Sequence, residues 1–196
     1  MISRAALSTI VQGQPKYRSM LAGNAAFFPS SFESIATATP TSGSAITFSS
    51  IPSTYKHLHI RFSVKAPSGN PSLNLTYNGD TGSNYTIHTV TGNGSSVTAG
   101  ASVSRTNFPI AWAFGMVAVY QNVAIVDILD YSTTTKYKTS RAFYGQESNS
   151  GSSASNLELN SGLWINTAAI NSITVTVTGG LAYQSGTTIS LYGIKG

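Results

Sequence analysis

The chain contains no cysteine. Disulfides and thiolate metal sites are thereby excluded. A secreted eukaryotic β domain would often carry a bridge, so the zero leans towards a bacterial or viral source. Charge is scarce as well. Asp, Glu, Lys and Arg make up 9% of the 196 residues, against roughly 25% in ordinary soluble domains. Ser, Thr, Asn, Gln and backbone must cover the surface instead. That suits a chain partly buried by neighbouring subunits better than a cytosolic enzyme. Long apolar runs are also missing. None approaches the ~18 residues that a spanning helix needs, so no membrane insertion is expected. The stretch from Ala5 to Val11 behind Arg4 is too short and too polar-interrupted for a secretory signal, and Gln12-Gly13-Gln14-Pro15 ends it.

Motifs that carry chemistry are equally sparse. There is no Gly-x-Ser-x-Gly elbow. Gly92-Asn93-Gly94 lacks the third glycine and the following helix of a phosphate-binding loop. Glycoside hydrolysis needs two convergent carboxylates, and the carboxylates available are Glu33, Asp80, Asp127, Asp130, Glu147 and Glu158. Asp127 and Asp130 are three apart on a predicted strand, so they face opposite ways. Turn-capping and pairing with Lys136, Lys138 or Arg141 are their expected roles. No catalytic residue, cofactor or metal is assigned, and the chain reads as a non-enzyme. His57 and His59 share one face of a predicted strand, a spacing that suits two metal ligands, but exposed strand histidines are the simpler expectation. Trp112 and Trp164 could stack on sugar rings, although core or intersubunit packing explains such residues as well. His57, His59, Trp112 and Trp164 are thus the candidate surface or glycan contacts. The net charge of +5 is spread over scattered Lys and Arg, without the clustering of a nucleic-acid binder, so no nucleic-acid partner is expected.

What the sequence does have is a junction near residue 31. Residues 1–31 carry Arg4, Lys16 and Arg18 and no carboxylate. Ser3 could cap a short helix over residues 4–12, after which Gly13, Pro15, Gly23 and Pro29 break the chain. Leu7, Ile10, Val11, Tyr17, Met20 and Leu21 are more apolar groups than a free tail should hold. An attachment arm is expected, docking through those residues together with Arg4, Lys16 and Arg18.

From residue 32 to 196 the pattern is β, one domain in length. In His57-Leu58-His59-Ile60-Arg61-Phe62-Ser63-Val64-Lys65 apolar and polar residues alternate strictly, the mark of a half-buried strand. Ile46 and Phe48, then Leu73, Leu75 and Tyr77, then Tyr85, Ile87 and Thr89 repeat the pattern, with turns at Asn78-Gly79-Asp80 and Gly92-Asn93-Gly94. Val123 to Leu129 is apolar on both faces, which predicts a central strand covered on both sides, or by a neighbouring subunit on one. Ile173 to Thr178 and Thr188 to Tyr192 suggest a closing hairpin around Gly179-Gly180. No long amphipathic helix follows residue 31. Eight to ten short strands at such spacing predict an all-β antiparallel sandwich or jelly roll with an extended N-terminal arm.

Several segments resemble a family. They are Phe32 to Thr37, Ile46 to Leu58, Asn78-Gly79-Asp80-Thr81-Gly82-Ser83-Asn84-Tyr85, Val126-Asp127-Ile128-Leu129-Asp130-Tyr131, Ser161-Gly162-Leu163-Trp164, and the ending Ser190-Leu191-Tyr192-Gly193-Ile194-Lys195-Gly196. These, with Pro15 to Asn24 in the arm, are similar to β-sandwich virion structural proteins of tailed bacteriophages, notably marine and cyanobacterial ones. The stretch from Asn93 to Val117 departs from the likeness. The resemblance implies a virion location and no catalytic residues. It implies a tail-fibre or baseplate appendage, docked on other virion proteins through its arm, trimeric by analogy, and facing host-surface glycan. A capsid decoration protein is the alternative, and a free carbohydrate-binding module a further one.

Overall fold

The computed structural model describes residues 31–65, 67–111, 120–148 and 155–196. The arm expected over residues 1–31, with its docking residues Arg4, Leu7, Ile10, Val11, Lys16, Tyr17, Arg18, Met20 and Leu21, lies outside the described residues except for Ser31, and so does Trp112. The described residues all belong to one unit, Ser31–Gly196.

Among the described residues there are twelve strands and no helix. They are β1 (Phe32–Ala38), β2 (Ala45–Phe48), β3 (His57–Lys65), β4 (Leu73–Tyr77), β5 (Tyr85–Gly92), β6 (Val97–Arg105), β7 (Phe108–Ala111), β8 (Gln121–Leu129), β9 (Lys138–Gln146), β10 (Asn156–Trp164), β11 (Ile173–Val177) and β12 (Thr188–Ile194). All pairings are antiparallel. The strands divide into an eight-stranded sheet, ordered β1-β12-β3-β8-β9-β10-β5-β6, and a four-stranded sheet, ordered β2-β11-β4-β7. This is the all-β sandwich that the alternation predicts.

The core forms where the two sheets face each other. Leu58, Ile60, Phe62 and Val64 of β3 are buried, and the residues between them point away. Val126 and Ile128 of β8 and Ile189 and Leu191 of β12 extend the same layer. Leu73, Leu75 and Tyr77 of β4, with Ile173, Val175 and Val177 of β11, supply the facing layer. Each large aliphatic side chain fully buried here contributes about 1.5–3 kcal/mol.

The expected closing hairpin does not form. β11 pairs with β2 and β4, whereas β12 pairs with β1 and β3. The connection between them crosses from one sheet to the other. It anchors at Tyr183, which is buried and donates its hydroxyl to Val175 O at 3.1 Å. The apolar faces of β11 and β12 therefore meet through the core rather than side by side.

Two local devices fix the packing. β7 lies across β10, and Gly162 makes room for it: a Cβ there would stand 2.3 Å from the Phe108 ring. The turn after β8 is held by Asp130, which has a φ of 48°. Its carboxylate takes Lys56 Nζ at 2.9 Å on one oxygen and Lys136 on the other. These hydrogen bonds, Lys136 first and Lys56 second, hold the carboxyl down to about 2.

Two outcomes are expected. Gly162→Ala should lower unfolding free energy in urea by about 1–3 kcal/mol through overpacking, and a variant as stable as the parent would contradict the close approach. Because the Asp130 pKa is depressed on folding, its stabilisation is full above the unfolded value near 3.9 and is lost as pH falls towards about 2. Acid titration of the unfolding midpoint should show that loss, and Asp130→Asn should reduce it.

Candidate interaction surface

The four-stranded sheet can cover only part of an eight-stranded one. Towards one end of β8, β9, β10 and β5 the alternation runs opposite to that of β3, while Val126, Ile128, Tyr85 and Ile87 at the other end stay buried. Asn122, Tyr144, Gln146, Asn156, Glu158, Asn160, Thr89 and Thr91 are buried, on the face that elsewhere forms the core. Val123, Ile125, Phe143, Leu157, Leu159 and Val90 are exposed on the outer face. A strand has two faces only, so turning the polar set inwards turns the apolar set out.

The buried polar set is hydrogen-bonded in part. Tyr144 donates to Asn122 Oδ1 at 2.9 Å and lies 2.6 Å from Gln146 Oε1. Asn160 Nδ2 donates to Glu158 Oε1 at 2.6 Å and to Ile110 O at 3.0 Å. Burial, and then the nearby Glu158 carboxylate, push the Tyr144 hydroxyl far above its ordinary range, so it stays protonated.

The register places the outer residues in rows across the sheet. One row runs Ser190, Arg61, Ile125, Phe143, Leu159, Val90, Ala99. The row beside it runs Ser63, Val123, Gly145, Leu157, Gly92, Val97. Together they form a contiguous apolar patch, with Leu157 and Leu159 about half exposed and Val97 at 74%. A shallow depression of about 250 Å³ opens beside Gly145, between Val123, Ile125 and Phe143.

On its other side the first row is bordered by Tyr192, His59, Asp127, Arg141, Ser161 and His88. His59 Nδ1 lies 2.6 Å from Asp127 Oδ1. Its ring packs on Phe32 and Tyr192, with centroids 5.2 and 6.5 Å apart. The Arg61 guanidinium sits 5.5 Å from the Phe32 ring centre and 5.7 Å from that of Tyr192.

The sequence candidates separate accordingly. His57 and His59 share a strand face, but His57 Nδ1 accepts the Asp130 N–H at 3.0 Å and His59 is bound to Asp127. Among the described residues no group of three or more His, Cys, Asp or Glu could hold a metal ion. Trp164 is not a surface residue: it is 1% exposed. It packs on Tyr77 and Tyr85 and donates Nε1 to Asp80 Oδ2 at 2.7 Å, so its ring is closed to a glycan. Burial alone would raise the Asp80 carboxyl, but the bonds from Trp164, Asn84 and Gly82 outweigh it and hold it below its ordinary value. Asp130 pairs with Lys136 as expected, and with Lys56. Lys138 instead is buried, donating to Lys136 O at 2.9 Å and Thr167 O at 3.0 Å. Asp127 stands across from Arg141 in the β8–β9 register.

Phe32, Arg61 and Tyr192 were not singled out by sequence, nor was Phe143. Only the apolar run of β8 signalled the patch. On the opposite side of the sandwich, a shallow groove of about 330 Å³ is lined by Asn74, Thr76, Asn107, Thr176 and Thr178 among others. Asn74 is buried and its Oδ1 has no hydrogen-bond partner among the described residues.

No protein-family model, no curated protein and no solved structure matches the chain.

The inversion makes a contrast that denaturation can read. Leu159→Ser should shift the unfolding free energy of the monomer by less than about 0.5 kcal/mol. Tyr144→Phe should cost about 1–2 kcal/mol by breaking bonds inside the sandwich. Equal effects would contradict the assignment of the two faces.

Proposed function

We propose that this chain is a non-enzymatic structural protein of a tailed-phage virion, a tail-fibre or baseplate appendage docked through its N-terminal arm. One observation supports a structural role above others: the broad sheet face carries a contiguous apolar patch where a free soluble domain would carry charge. Four of the six carboxylates also have structural work. Asp80 ties a turn, Asp130 holds Lys56 and Lys136, Asp127 binds His59, and Glu33 binds Lys195 at 2.5 Å. The reading has the protein assembled in the bacterial host cytoplasm, built as a homotrimer and bound to other virion proteins.

The appendage placement draws on the two unlike sides of the sandwich. An apolar side suits contact with protein. The Asn74 groove on the other side offers amide and hydroxyl groups, the donors and acceptors that recognise a host-surface glycan. A capsid decoration protein is the second reading, favoured by the breadth of the eight-stranded sheet, which would lie flat on a head.

Immunogold labelling of intact phage with antibody against the chain tests the reading. Gold at the tail tip is expected, and gold over the head would favour decoration. Absence of the chain from purified, disrupted virions, by mass spectrometry, would overturn both.

A further inference from the structure

We propose that the apolar patch pairs with the same patch on a second copy of this chain, sheet face against sheet face. This deepens the structural reading without needing a virion, because it concerns only what the chain does with itself.

Size is the first argument. Seven large apolar residues in the two rows, Val90, Val97, Val123, Ile125, Phe143, Leu157 and Leu159, are each 41–74% exposed, a contiguous apolar face of the kind that marks an interaction site on a monomer. Inversion is the second. Towards one end of four adjacent strands Asn122, Gln146, Asn156, Glu158, Asn160 and Thr91 lie inside and Val123, Phe143, Leu157 and Leu159 outside, a cost that is offset when the outside is covered.

Self-complementarity is the third argument, and it selects a second copy as the occupant. The strand order β8-β9-β10-β5 has its midpoint between β9 and β10. A two-fold axis along the strands at that midpoint lays β9 over β10 of the second copy and β8 over its β5. In the Gly145 row large then meets small, and in the Phe143 row apolar meets apolar. Gly145, with nothing within 4 Å of a Cβ built on it, faces Leu157 of the second copy. Val123 faces Gly92 of the second copy, and Phe143 and Ile125 face Leu159 and Val90 of the second copy. The depression beside Gly145 receives the leucine. Asp127, 46% exposed in its side chain, faces His88 of the second copy at the rim. Such a contact is isologous and closed, since each residue meets its counterpart twice.

Sedimentation of the full chain at tens of micromolar tests the pairing. An even-numbered oligomer is expected, a dimer of the 20.5 kDa chain or a hexamer where three-fold contacts exist as well. Leu157→Lys should weaken pairing at least tenfold while the thermal midpoint of the monomer stays unchanged. Gly145→Val should also weaken it by filling the depression, and adding Leu157→Ala should restore part of the loss. A monomeric full chain would overturn the proposal, as would a trimer indifferent to Leu157→Lys. Either result would leave the virion reading to its own test.

Discussion

A β-strand offers two faces, so a stretch that turns its polar residues inwards must turn its apolar residues out. The rest of this molecule depends on that constraint. On β3, β12 and residues 124–128 of β8 the large sheet buries aliphatic residues in the ordinary way. Towards the ends of β8, β9, β10 and β5 that carry Asn122, Gln146, Asn156, Glu158 and Thr91, the same face buries amides, hydroxyls and a carboxylate. Between them Val123, Phe143, Leu157, Leu159 and Val90 fall on the outside. The polar interior and the apolar exterior are therefore one feature seen from two sides, produced by the phase of the alternation.

The scarcity of charge belongs to the same picture. Few Lys or Glu interrupt the outer rows, and the charges present are engaged locally. Arg61 lies against Phe32 and Tyr192, Asp127 against His59, and Asp130 between Lys56 and Lys136. What remains on the middle of the sheet is apolar, with Gly145 leaving a gap between larger neighbours. Low charge and the gap at Gly145 favour contact with another β surface over capture of a small molecule.

The fold class was legible because alternation is a local signal. Leu58 to Val64, Leu73 to Tyr77 and Tyr85 to Ile87 each declare a strand without help from the rest of the chain. Pairing was less legible. β11 and β12 look like hairpin partners, yet they sit in different sheets, because long-range burial at Tyr183 decides the matter. The direction of each face was least legible. Asn156-Leu157-Glu158-Leu159-Asn160 alternates as cleanly as β3, and nothing within it says which set turns inwards. Only partners distant in sequence, such as Ile110 O for Asn160 and Phe108 against Gly162, settle that. Trp164 illustrates the same limit: a tryptophan beside a loop suits a sugar or a core, and its hydrogen bond to Asp80 could not be read from spacing. His57 and His59 likewise have partners supplied by β8 and its turn, strands distant in sequence.

The central claim is that the outer face of β8, β9, β10 and β5 is covered in the assembled protein. Solvent accessibility of its methyl groups measures this most directly. Full-length chain with labelled Val and Leu methyls would be exposed to a soluble paramagnetic agent at low and high protein concentration. The account has Val123, Leu157 and Leu159 bleached when dilute and shielded when concentrated, while Val103, on the same sheet but away from the patch, stays bleached throughout. Equal bleaching of all of them at both concentrations would contradict it.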